Sequence, residues 1–303
     1  MLPDADDLPD LLLDLAVPHE DINELVARRR QMTDAPELRD LLDECVRELL
    51  RDPDDLGRTP ELGALFASAP PDLVGLFPVY VFLAALPHTL AAHRARGVPA
   101  EISRRTLADL GRQCALHRRR HDRPGVHAAR WLARHFRGEV HQLGRLQFER
   151  TRTGGWAAPG LATAGLPAAP GTPCLNLHIP DFRGPLTPAA CDRSLELAHA
   201  FFAAHYPEER YDLVLCHSWL LDAQLRDHLP PEAHIVRFQD RFRLAPRDTE
   251  PADTEPVRFV FGDADLPVDD LPRRTSLERA VGDHLRSGGH WYIGHGWFPL
   301  GTE

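Results

Sequence analysis

The residues best suited to chemistry are two histidines and a glutamate, each at the end of an apolar run. His178 stands near the end of Cys174 to Pro180, on the same strand face as Asn176. His217 closes a second run that begins at Tyr211. An imidazole titrates at about pH 6.5, so either ring could take a proton from an attacking amine near neutrality. Residues at the ends of parallel strands face the ligand crevice of an α/β sheet. Asp222, five residues on, is placed to orient His217. Glu149 ends a third run and offers another base, or a partner for an ammonium. Each has a structural alternative: a buried imidazole bonded to backbone, a histidine that locks a turn, or a rim carboxylate. Cys216 has the type of a thiol nucleophile. Strand alternation, however, puts it with Val214, opposite Leu213, Leu215 and His217, and a small core thiol is expected. Arg237 needs a carboxylate partner if its strand buries it.

These groups need strands and a helix to hold them. Residues 175–179 and 213–216 read as strands, with a helix between them from Pro188 to about His205. Thr187 is a hydroxyl cap followed by proline at the first helical position. A strand that feeds a helix N-terminus is a place to bind phosphate, because unpaired N–H groups and the positive end of the helix dipole meet there. Upstream, residues 140–149 alternate as one strand and 157–172 read as a long uncharged loop. Downstream, a short helix is expected at 221–228, strands at 234–244 and 257–261, a capped helix at 276–286 and a closing strand at 292–298. Before residue 139 the periods are helical. Leu38, Leu41, Leu42, Cys45, Val46 and Leu49 repeat at three and four, and residues 72–93 read as a helical hairpin or a helix kinked at Pro78. The expected architecture is α/β (α+β), with an all-helical domain over 1–138 and a mixed-sheet domain over 139–303.

Composition removes several alternatives. The chain has no lysine; all 35 of its basic Lys/Arg residues are arginine. That excludes Schiff-base chemistry and the phosphate-binding lysine of a P-loop. Five scattered cysteines without a C-x-x-C pair argue against a disulfide framework and a Cys-type zinc site. His178, His217, His290 and His295 share no ligand spacing, and no metal site is expected. A net charge of −10 argues against nucleic acid, although His117 to Arg123 is strongly basic and reads as a solvated helix end or an anion lure. The longest apolar stretch, 73–90, is broken by two prolines, so no membrane span is expected. The acidic N-terminus does not read as a signal peptide, and a cytoplasmic location follows.

The strings Leu-Asn-Leu-His-Ile-Pro (175–180), Gly-Pro-Leu-Thr-Pro (184–188) and Cys-His-Ser-Trp-Leu-Leu-Asp (216–222) resemble bacterial acyltransferase-domain proteins. In that family a helical N-acyltransferase domain precedes a GNAT-like domain, and the likeness spans about residues 30–300. The resemblance implies acetyl-CoA or another acyl-CoA as co-substrate and a small-molecule amine or a peptide as acceptor. It implies that pantetheine lies in a V-shaped gap between strands 174–179 and 211–217, beside Asn176, Leu177 and Ile179. It places the pyrophosphate at the next helix N-terminus, near Arg183, Gly184 and Thr187. The family's glycine-rich phosphate loop is absent. Pro185 and Pro188 each remove a donor there, and Asp181 repels phosphate. The candidate proton-transfer residues are then His217, His178 and Glu149. The alternative is a GNAT-like binding or regulatory module without catalysis.

Overall fold

The computed structural model describes residues 2–56, 58–154, 158–163, 169–180 and 184–301. The chain divides into two compact units, Met1–Gln142 and Leu143–Glu303. The first unit is helical: α1 (Leu8–Asp14), α2 (His19–Asp34), α3 (Pro36–Leu50), α4 (Leu62–Ala67), α5 (Phe77–Ala95), α6 (Ala100–Leu107), α7 (Asp109–His121) and α8 (Ala129–Phe136). α5 is its centre. Residues 77–86 of that helix are all buried, so it is apolar on every side, as a helix enclosed by others must be. The expected break at Pro78 does not occur. Pro78 lies in the first turn, where its missing N–H has no helical partner to lose, and it starts the helix. α6 and α7 are divided at Ala108.

The second unit is built on strands β2 to β6 of a six-stranded mixed sheet in the order β1-β2-β3-β4-β6-β5, with β1 running across the boundary at Gln142. The strands are β1 (Val140–Leu143), β2 (Leu146–Arg152), β3 (Pro173–His178), β4 (Leu213–Ser218), β5 (Arg243–Ala245) and β6 (Gly294–Pro299). The single strand expected at 140–149 is a hairpin. Gly144 turns the chain at φ +69°, and a Cβ there would stand 2.7 Å from Ser194 Oγ. Both the left-handed backbone and the close approach call for glycine. Ser194 lies on α10 (Pro188–His205), the helix after α9 (Ala158–Thr163). Its Oγ accepts from the Arg145 and Leu146 amides at 2.8 and 3.3 Å, which fixes α10 to the hairpin turn. α9 occupies part of the stretch expected to be loop.

After β4 come a 3-10 turn (Trp219–Leu221), α11 (Leu225–His228), α12 (His234–Gln239), α13 (Thr254–Phe261) and α14 (Ser276–Arg286). α12 and α13 replace two expected strands. Only Arg243–Ala245 of the first joins the sheet. Arg237 therefore sits exposed on a helix, 4.0 Å from Asp240, and is not a buried strand residue. α14 begins as expected, with a reciprocal capping box between Thr275 and Glu278. Among the described residues no helix is long and apolar enough to cross a membrane.

Candidate active site

β3 lies between an antiparallel neighbour and a parallel one. Along β2 the pairing runs from Arg152 opposite Pro173 to Gln147 opposite His178. Along β4 it joins Leu175 to Val214 and Asn176 to Leu215, and among the described residues goes no further. Yet β3 continues to His178 and β4 to Ser218. The two strands thus part at their C-terminal ends, leaving the facing backbone edges outside the ladder. β4 meanwhile stays paired with β6 along its whole length, His217 opposite His295.

Alternation puts Glu149, Asn176, His178, His217 and His295 on one face of the sheet at this opening. The lower half of the same face is apolar: Cys174, Leu213, Leu215 and Trp297 pack with Leu161 of α9. The polar groups form two strings. In the first, His178 Nε2 lies 2.7 Å from Glu149 Oε2, and Asn176 Nδ2 donates to the same oxygen at 3.3 Å. That contact holds the His178 ring against the carboxylate. Asn176 Oδ1 is buried without a partner among the described residues. In the second string, His295 Nε2 lies 2.7 Å from Asp248 Oδ1, and His295 Nδ1 lies 2.7 Å from His217 Nδ1. If His295 donates to Asp248 through Nε2, its bare Nδ1 accepts from His217 Nδ1–H. Loss of solvation, then the neighbouring His295 and His178, push His217 down to about 4. His217 is therefore neutral at pH 7.

Asp222 does not orient His217. It is fully buried and accepts from the amides of Tyr292 (2.9 Å) and Gln224 (3.1 Å), from the Gln224 side chain and from Arg247. It holds the approach to β6; the group beside His217 is His295. Cys216 is fully buried, and burial pushes its thiol up, away from nucleophilic use. Leu177 is buried on the opposite face, across from Phe148, and Ile179 packs against the cluster around Trp219.

At the helix N-terminus, Thr187 Oγ1 accepts from the Ala190 amide at 3.2 Å, and Pro188 occupies the first helical position. Gly184 is left-handed, φ +79°, with open space where a Cβ would be. Arg183 lies outside the described residues. Arg145, from the hairpin turn, donates Nε to the Gly184 carbonyl (2.7 Å) and a terminal nitrogen to the Pro180 carbonyl (2.6 Å). Sequence reasoning missed Arg145 and Asp248, and weighed His295 only as a metal ligand. Their contacts are made only by the folded sheet; the one sequence signal is the Gly144-Arg145 turn.

A mixed sheet whose central parallel strands part beside carboxylate-backed imidazoles, with a capped helix leading from one strand to the other, defines a GNAT-type acyltransferase. Residues 140–298 match the GNAT-like C-terminal domain family and residues 6–138 the N-acyltransferase N-terminal domain family. The chain belongs to the acyltransferases that join these two domains. It is 34% identical, at a TM-score of 0.86, to an acyltransferase mutant solved in complex with octanoyl-CoA and to an acyltransferase solved with decanoyl-CoA and teicoplanin. Each match covers 99% of this chain and 90% of the other. An acyltransferase solved with CoA and 10C-teicoplanin is 33% identical over the same shares, also at a TM-score of 0.86. A comparison with curated proteins found no match.

Proposed function

We propose that this chain moves a medium-length fatty acyl group from CoA to an amine of a glycopeptide, with Glu149-backed His178 as the base. It is an acyl-CoA-dependent acyltransferase; the glycopeptide acceptor and the residue roles are our reading. The acceptor rests on the teicoplanin complexes of relatives that match nearly the whole chain. The observation that carries the base is the 2.7 Å contact between His178 and Glu149 at the point where β3 leaves β4.

In this reading the pantetheine arm enters between the parted strands, along Asn176, Leu177 and Ile179. Its pyrophosphate meets the segment from Arg183 and Gly184 to Thr187, whose carbonyls Arg145 holds back. The amine nitrogen attacks the thioester carbon, a C–N bond forms and the carbonyl oxygen takes the charge. A backbone N–H on the free edge of β3 stabilises that oxygen. His178 removes the amine proton; collapse breaks the C–S bond, and the proton passes to the departing thiolate. No covalent enzyme intermediate forms, consistent with the inert Cys216. His217, held by His295 and Asp248, orients the amine. Two family matches that meet between residues 138 and 140 support a functional division there. Five buried cysteines, free of disulfides, suit the reducing cytoplasm, where acyl-CoA is made.

Mass spectrometry of a glycopeptide amine incubated with decanoyl-CoA tests the reading. The wild-type chain should add one decanoyl group. His178→Ala should slow this by about 100-fold or more while leaving donor affinity within about twofold. Full activity in that variant would overturn the assignment of the base.

A further inference from the structure

We propose that His117, His121 and His127 form a binding site for a divalent transition metal of the zinc type. His117 and His121 are one helical turn apart at the end of α7, and His127 returns from the following loop. One ring nitrogen from each lies within 4.8 Å of the other two. The nitrogens of His121 and His127 already meet directly, and the three ring centroids stand 4.5 to 4.7 Å apart. A tetrahedral zinc holds its nitrogens at about 2.0–2.1 Å, which places them roughly 3.4 Å apart. A small turn of the exposed His127 closes the remainder.

The site is built beyond its three ligands. His117 is buried, and its Nδ1 is 3.0 Å from the Arg123 carbonyl. That bond places the proton on Nδ1 and leaves Nε2 as the ligand atom, the usual outer contact of a metal-bound histidine. Gly75 keeps the space beside Nε2 open: a Cβ there would stand 2.9 Å from it. Gly125 closes the other side, where a Cβ would be 2.7 Å from Cε1. The Val126 amide donates to the Gly75 carbonyl at 2.9 Å, tying the loop to the same place. The flanking charge is positive. Arg118 is paired with buried Asp21, and the arginines beside the ligands favour an anion or hydroxide as fourth ligand. The metal would clasp the loop to the end of α7. Sequence reasoning took this stretch for its arginines and passed over its H-x-x-x-H spacing.

The test uses the full chain without a histidine tag, dialysed against Zn²⁺ and then metal-free buffer, with metal measured by plasma mass spectrometry. About one zinc per chain should remain, and Zn²⁺ should raise the melting temperature. The exposed His127→Ala and also His121→Ala should each fall to background and lose the thermal shift. With Co²⁺, the wild-type chain should show the intense visible bands of a tetrahedral ion and His127→Ala should not. Absence of retained zinc and of those bands in the wild-type chain, or equal retention in the variants, would overturn the proposal.

Discussion

Glu149→Gln isolates the contribution of the carboxylate behind His178. The side chain keeps its size, and an amide oxygen can still accept from His178 and Asn176, so the geometry should survive. What is lost is charge. A hydrogen bond to an ionised group contributes about 1.5–3 kcal/mol, against roughly 0.5–1.5 for a neutral pair. The native contact is 2.7 Å long and the Glu149 side chain is only 9% exposed, so solvent screens little of the difference. A loss of about 1.4 kcal/mol, felt as His178 becomes positive in the transition state, is a tenfold drop in rate. Release of CoA thiol, followed with a colorimetric reagent at saturating decanoyl-CoA and amine, measures it. We expect kcat to fall about tenfold, Glu149→Ala to fall further, and decanoyl-CoA affinity to change by less than about twofold. An unchanged kcat would refute the role of the pair. So would a collapse of donor binding at unchanged kcat, which would make Glu149 part of the CoA site.

Arg145→Ala removes both bonds that hold the Pro180 and Gly184 carbonyls. Donor KM should rise about tenfold or more with a smaller change in kcat, and an unchanged KM would show that the segment needs no such support. His93 is 2% exposed, and burial pushes it down to about 4. Between pH 6.5 and 4 the unfolded chain takes up a proton there that the folded chain refuses, so stability falls as pH falls through that window, by about 3 kcal/mol in full. Urea midpoints should therefore drop more steeply on acidification in the wild-type chain than in His93→Gln; parallel curves would contradict this. Arg150 reaches both oxygens of Glu209 at 3.0 Å and the Tyr211 hydroxyl at 3.1 Å, over the face of Tyr206. Arg150→Met leaves Glu209 with the Tyr211 hydroxyl but without its cation and should cost about 3–5 kcal/mol by chemical denaturation, part of it recovered by adding Glu209→Gln. A cost below about 1 kcal/mol would show that the network is not coupled to folding.

The sequence made the centre of the sheet legible and its edges obscure, for physical reasons. Strands 173–178 and 213–218 announce themselves by apolar alternation, and α10 and α14 by hydroxyl caps whose bonds the structure contains. His178 and Glu149 could each be singled out alone, but their pairing depends on a β2–β3 register that no local pattern encodes. α13 was misread as a strand because Val257 to Phe261 is short, apolar, and rich in aromatic and branched residues. Periodicity cannot separate helix from strand in such a run. Gly262, left-handed at φ +84° and closing that helix, was the available signal. Asp248 lay beyond reach in another way: nothing near it in sequence points to His295, 47 residues on.

A crystal structure of this chain with decanoyl-CoA tests the central claim most directly. The account predicts the pantetheine arm between β3 and β4 beyond Asn176 and Leu215, the diphosphate near Gly184, and the thioester carbon close enough to His178 for an amine to fit between them. An arm bound elsewhere, with β3 and β4 drawn together beyond Asn176, would contradict it.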